Sequence, residues 1–303
     1  MAIDLIAAPT NLGLRPPEPG SVPGTATAPE ALRAAGLHER MLQRHDARDA
    51  GVVLPARYRP GVARGDALRN QAAILDFTRR LADRVDASIG AGRAPLVLGG
   101  DCSLVLAPAL ALRRRGRHGL VYVDGHGDFR HPGNSDEATT LGGEALAAVT
   151  GRHVDAVSDL AGLRPLVRDD DAVQVGCRDD EVDAVELAAL GAVLPASEVR
   201  SVGVEAAAAR VVDVVARAGL DGYWIHVDVD VLDPRSMPAV DSPDPGGLDP
   251  DELIALLQSL APGAAGADVA IFDPDLDPDG SAAATLVEVV SAGLSRLGGD
   301  VHR

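Results

Sequence analysis

Three potential metal ligands stand at alternate positions in the segment Asp124-Gly125-His126-Gly127-Asp128. Carboxylates and an imidazole suit a divalent cation, and the two glycines leave room around it. In an extended segment alternate side chains share a face, so the spacing predicts that Asp124, His126 and Asp128 point to one place. The run Val227-Asp228-Val229-Asp230-Val231 repeats the device, with the aspartates on one face and the valines on the other. An apolar strand that ends in inward carboxylates costs several kcal/mol per unpaired charge, and divalent cations remove that cost. Four carboxylates and an imidazole exceed the needs of one ion. Bridging carboxylates can hold two ions roughly 3.5 Å apart, the arrangement that makes hydroxide from water at neutral pH. Alone, Asp-x-His reads more readily as a polar loop whose acids cap helices. The second cluster turns the reading toward two metals.

These clusters need strands to carry them. Short apolar runs recur at IDLIA near the start, PLVLGG at 95, GLVYVDG at 119, AVQVG at 172, YWIHVDVD at 223 and ADVAIFD at 267. Helical patterns lie between most of them, over 66–90, 103–115, 203–219, 249–260 and 280–297. Such alternation predicts an α/β fold with parallel pairing and helices on both faces of the sheet. Ligands then bind at the carboxyl ends of the strands. GGDCS, DGHGD, GCRDDE and DVDVLDP all fall there, and the Gly/Pro-rich segments 9–30 and 129–143 are expected as loops over the same edge. With no repeat or linker in view, the 303 residues are expected to form a single domain.

Hydrophobic residues make up 46% of the chain but aromatics only 2%, so the core must be built from Ala, Val and Leu. The formal net charge is -17 and lysine is absent, which argues against a nucleic-acid partner. The start has no basic region ahead of an apolar stretch, and no segment approaches the roughly 20 apolar residues that span a bilayer. A soluble, cytoplasmic protein with no membrane partner is expected. Cys102 and Cys177 are too few for a disulfide framework and read as reduced thiols, Cys177 as part of the core.

GGDCS at 99–103, DGHGD at 124–128 and DVDVLDP at 228–234, in this order, resemble the signature motifs of the arginase, agmatinase and formimidoylglutamase group, the ureohydrolases. The likeness runs from APTNLG and GTATAPEALRAAGL through PAVDSPDPGGL to DPDLDPDG, nearly the whole chain. The resemblance implies a three-layer α/β/α fold with a mostly parallel central sheet. It also implies a dinuclear manganese centre whose bridging hydroxide attacks an amidine or guanidine carbon. Carried over, one ion is held by Cys102, Asp124, Asp128 and Asp228, and the other by Asp124, His126, Asp228 and Asp230. Asp124 and Asp228 bridge, and Asp128 moves a proton to the leaving nitrogen. A small-molecule substrate and a homo-oligomer, trimer or hexamer, are implied as well.

Departures from the family fall at the site. Cys102 stands where the family has His; a softer thiolate opens the position to Zn2+ or Fe2+ beside Mn2+, while a buried Cys that no longer ligates is the other reading. Gly142 stands near the family's proton-carrying loop His. Glu144 is the nearest ionisable group, either a replacement or an acid at a helix start. Ile271 stands where arginases and agmatinases grip the guanidinium with an acid, and Asp273 is the nearest carboxylate. Without that anion an ordinary cationic guanidinium binds poorly. Asp180 or Glu181 could hold a substrate amino group or simply solvate a helix N-terminus, and His131 and Asn134 are further substrate-binding candidates. Asp275, Asp277, Asp279 and Gly280 imitate a calcium loop, but Leu286 stands where its Glu should, so a turn and helix cap are expected. The functional expectation is a metal-dependent hydrolase of a linear amidine or guanidino C–N bond. The alternative is an inactive binding protein with at most a partial metal site.

Overall fold

The computed structural model describes residues 2–44, 46–136, 138–180 and 187–301. Eight parallel strands form one sheet: β1 Ala2–Ala8, β2 Ala47–Val52, β3 Arg93–Gly99, β4 Gly119–Val123, β5 Ala172–Val175, β6 Ala192–Leu194, β7 Tyr223–Asp228 and β8 Ala264–Ala270. Their order is β2-β1-β3-β8-β7-β4-β5-β6. The central strands are buried along their whole length because both faces are covered, which is why they read as continuous apolar runs. On one face the helices Gln71–Gly90, Leu106–Arg115 and Ala145–Val149 pack against one another. The helices Leu37–Arg44, Val204–Val215, Pro250–Leu260 and Ser281–Gly293 form the other layer.

β2 and β6 were not legible in the sequence. Both are edge strands. The β2 sequence ARDAGV is mostly exposed and carries charges, as edges do when they must resist further pairing, and β6 is only three residues long. The β2 edge is tied inward by Asp4 of β1, whose carboxylate accepts from Arg48 of β2 (2.7 and 3.0 Å), from Arg93 of β3 and from Ser88 (2.8 Å).

The acids of DPDLDPDG serve local structure. Asp277 accepts from the backbone N–H groups of Ala282 and Ala283 at the start of the Ser281–Gly293 helix, and Asp279 from that of Ser281. Asp273 takes the N–H groups of Asp275 and Gly24, at 3.0 and 3.1 Å.

The strand order also fixes where a site can form. The chain leaves β4 toward β5 and leaves β7 toward β8, in opposite directions across the sheet, although β4 and β7 are neighbours. A crevice therefore opens at their carboxyl ends. Both acidic clusters lie at that switch point.

Candidate metal centre

The clusters converge through turns rather than through extended chain. β4 stops at Val123, and Asp124 bends the segment by accepting the His126 N–H at 2.6 Å. Asp128 adopts a left-handed conformation with φ 45°, which short polar side chains tolerate. After β7, Asp228 likewise accepts the Asp230 N–H, at 2.9 Å, and a short 3-10 turn follows. Side-chain bonds to nearby backbone have replaced the strand ladder, so the expected alternation does not continue into either motif. Gln174 holds the first loop by donating to the carbonyls of Asp124 and His126 (3.0 and 2.9 Å). Arg178 clamps the second through the carbonyls of Asp230 and Asp244 (2.9 and 2.6 Å). Gly125 is required here, because a Cβ would lie 2.7 Å from the Asp230 carbonyl.

All six expected ligands meet. Cys102 Sγ lies 2.8 Å from Asp228 Oδ2, and His126 Nδ1 lies 2.9 Å from Asp230 Oδ2. The Tyr122 hydroxyl donates to Asp128 Oδ2 at 2.6 Å. Cys102, Asp124 and His226 place donor atoms within 4.8 Å of one another, as do Asp124, His126 and Asp230, so Asp124 belongs to both sets. Two buried atoms of this cluster have no hydrogen-bond partner, Asp124 Oδ2 and His226 Nε2. Orphaned acceptors facing a crowd of carboxylates are what a cation would satisfy, and the mixed O, N and S donors fit hard to borderline divalent ions.

Electrostatics agree with that fit. Burial and then repulsion from neighbouring aspartates push Asp124 and Asp228 well above the usual carboxylate range. Burial lifts Asp128 to about 7 against the opposing bond from Tyr122. Burial and the same carboxylates hold the Cys102 thiol well up. Desolvation would lower His126, but contacts with Asp230 and Asp244 outweigh it and carry the ring to about 10. The crevice gathers positive charge wherever a group can supply it.

A cavity of about 280 Å³ opens over the cluster, lined by Cys102, His126, Asp128, Asp228 and Asp230 with Leu14, Phe129, Gly142, Asp241 and Ile271. Of the remaining expected residues, Glu144, His131, Asn134 and Asp180 do not line it. Glu144 is buried, with its oxygens taken by the Thr140 N–H (2.9 Å) and His153 Nε2 (2.8 Å). Asn134 and His131 knit a surface turn, Asn134 Oδ1 accepting the His131 N–H at 2.7 Å. Asp180 lines a separate cleft with Ser197 and Arg200, and Glu181 lies outside the described residues. Sequence reading missed Tyr122, Arg178, His226 and Asp241. His226 is hidden inside an apolar strand, whereas Asp241 stands in PAVDSPDPGGL, a stretch that carries the family likeness but offers no ligand spacing of its own. Asp241 opens into the cavity yet is crowded by protein, and desolvation followed by repulsion from Asp230 raises it to about 6. Ile271 lines the same wall with φ 73°, a strained conformation for a β-branched residue, and its N–H donates to Gly100 O at 2.7 Å.

A parallel α/β sheet with carboxylates at its switch point defines a class of enzyme, and comparison with known proteins gives the family. The model of the arginase family matches residues 4–294. The arginase of Bacillus caldovelox is 29% identical over 264 residues, covering 86% of each chain. The crystal structure of that arginase at pH 5.6 superposes with a TM-score of 0.85 at 26% identity, over 97% of this chain and 98% of the other. The crystal structure of arginase from Bacillus cereus gives 0.83 at 26% identity with the same coverage. The chain belongs to the arginase family, the ureohydrolases. It is a hydrolase of guanidino or amidino C–N bonds.

Proposed function

We propose that this protein is a single-domain, two-metal hydrolase of a linear amidine or guanidino compound whose substrate differs from arginine. The observation that carries the reading is the pair of donor sets sharing Asp124 beneath one cavity. One ion would be held by Cys102, Asp124, Asp128 and Asp228, the other by Asp124, His126, Asp228 and Asp230. Divalent cations there, Mn2+ or, given Cys102, Zn2+ or Fe2+, supply Lewis acidity and make water acidic enough to attack near neutral pH.

The protein's own groups do the rest. Asp128, its Oδ2 held by the Tyr122 hydroxyl at the edge of the cavity, is placed to take a proton and return it to the leaving nitrogen. Leu14, Phe129 and Ile271 shape an apolar wall that limits water around the reacting carbon. Asp241 is the acid in that cavity outside the metal set, and it replaces in space the counter-charge missing at Ile271. A protonated amidine would lie against it. In this reading Glu144 orders the loop through His153 and the proton work falls to Asp128.

A panel of guanidino and amidine compounds, assayed for urea or ammonia with chelated and with manganese-loaded protein, tests the proposal. Activity that needs the metal, with Asp241→Asn raising KM for cationic substrates about 10-fold or more, is the expected result. A metal-loaded protein inert across the panel would favour the inactive binding protein instead. The family resemblance supports a trimer or hexamer, which sedimentation would measure. Among the described residues no helix is long and apolar enough to cross a membrane, and the burial of both cysteines, Cys102 and Cys177, accords with a cytoplasmic site.

A further inference from the structure

We infer that His226 is a metal ligand, joining Cys102 and Asp124 to make one of the two positions a sulfur, nitrogen and oxygen site suited to zinc. The inference rests on the reading that cations occupy the carboxylate cluster, but it does not depend on the substrate. His226 lies on β7, fully buried, two residues before Asp228. Its Nδ1 lies beside Asp268 Oδ2 on the adjacent strand β8, and the two residues are in register. Its ring stacks on Tyr122, with centroids 4.4 Å apart and planes inclined by 28°. Those contacts fix the ring's position and its tautomer.

With Nδ1 engaged, Nε2 carries the free lone pair, and it has no partner. A buried polar atom left without a partner is destabilising, so a ring so closely held would not be expected to waste it. Cys102 Sγ, an Asp124 oxygen and a ring nitrogen of His226 lie within 4.8 Å of one another, and Nε2 is the nitrogen that Asp268 leaves open. A histidine whose second nitrogen is bound by a carboxylate is the usual arrangement for a metal-ligating imidazole, because the carboxylate sets the tautomer and raises the ring's basicity.

Two observations thereby explain each other. The first motif carries Cys102 where the family resemblance implies an imidazole, and the imidazole of His226 lies beside Cys102 from β7. Thiolate with imidazole and carboxylate favours zinc, while the oxygen-rich set of Asp124, His126 and Asp230 still suits manganese. Asp268 is then a positioning residue, also held by Trp224 Nε1 at 2.5 Å.

The test uses full-length reduced protein, stripped with chelator and titrated with Zn2+ and with Co2+. Metal per chain is read by elemental analysis, thiolate ligation by the near-ultraviolet Co2+ charge-transfer band, and His226 by the nitrogen resonances of its ring. The expected result is two equivalents bound and an Nε2 resonance displaced by Zn2+ while Nδ1 stays protonated. His226→Ala should weaken one equivalent about 10- to 100-fold and alter the Co2+ band, and Asp268→Asn, which keeps the volume, should weaken the same equivalent about 10-fold. Two ions bound with unchanged His226 resonances and no effect of Asp268→Asn would overturn the inference and leave the two-metal reading intact. A protein that binds no ion would overturn both.

Discussion

The Cys102 thiol donates to Asp228 Oδ2 across 2.8 Å at the floor of the cavity. Burial and three neighbouring aspartates keep that thiol protonated, so an ion that binds sulfur must first displace the proton. Zinc binding near pH 7.5 should therefore release protons, measured by calorimetry in buffers of different ionisation enthalpy. Cys102→Ser should release about one fewer per chain. Equal release by both proteins would remove Cys102 from the ligand set. Cys102→His carries a separate consequence: loss of turnover on the native substrate marks the thiol as part of a working site, while a gain on arginine marks a decayed enzyme.

Metal-free protein should lose stability as pH rises. Asp128, lifted from the usual 3.8 to about 7, binds its proton more tightly folded than unfolded. Its contribution is complete below about 4 and disappears as pH climbs through 7. Asp124 and Asp228 shift in the same direction. His126, raised from 6.5 to about 10, adds a loss of the same sign above about 6.5. The Tm of chelated protein should fall between pH 5 and pH 8 by an amount equivalent to a few kcal/mol. Saturating divalent ion should abolish the fall, and a flat profile without metal would contradict the assignment.

Tyr122→Phe keeps the ring stacked on His226 and removes only the hydroxyl bound to Asp128. A hydrogen bond to a charged group is worth about 1.5–3 kcal/mol. That bond lowers the Asp128 pKa, so its loss should move the corresponding limb of the pH profile of kcat/KM upward. An unshifted limb would separate Asp128 from the proton transfer.

Position 142 should resist a side chain. A Cβ there would meet Leu14 Cδ2 at 2.8 Å and the Gly13 carbonyl at 3.1 Å. Leucine can rotate, but that carbonyl is held by the Gly142 N–H at 2.9 Å. Gly142→Ala should destabilise by about 1–2 kcal/mol in urea denaturation. Gly142→His should accordingly fail to confer turnover of arginine.

At the far edge of the sheet, burial tends to raise Asp4, but the bonds from Arg48, Arg93 and Ser88 outweigh it and hold the group at about 2. Its stabilisation is present above about 4 and is lost as pH falls toward 2. Because Arg48 is largely exposed, the contribution is about 1 kcal/mol after screening. The stability difference between wild type and Asp4→Asn should be near that value at pH 7 and shrink as pH falls from about 4 through about 2.

Composition and periodicity determined a great deal. Buried strands such as Gly119–Val123 and Tyr223–Asp228 announce themselves because a doubly covered sheet demands unbroken apolar runs, and the six candidate ligands, four aspartates with Cys102 and His126, were visible where such runs should end in polar turns. Edge strands carry no such signature, so β2 and β6 were invisible. Which side chains share a space depends on contacts between residues far apart in the chain. His226 and Asp268 meet by strand register, Asp241 reaches the cavity from a distant loop, and Glu144 turns instead to His153. Sequence thus determined the order of the strands' carriers and the chemistry available at their ends. Packing alone decided which of those groups face one another, because register and loop closure are set by long-range burial and hydrogen bonding that local spacing does not encode.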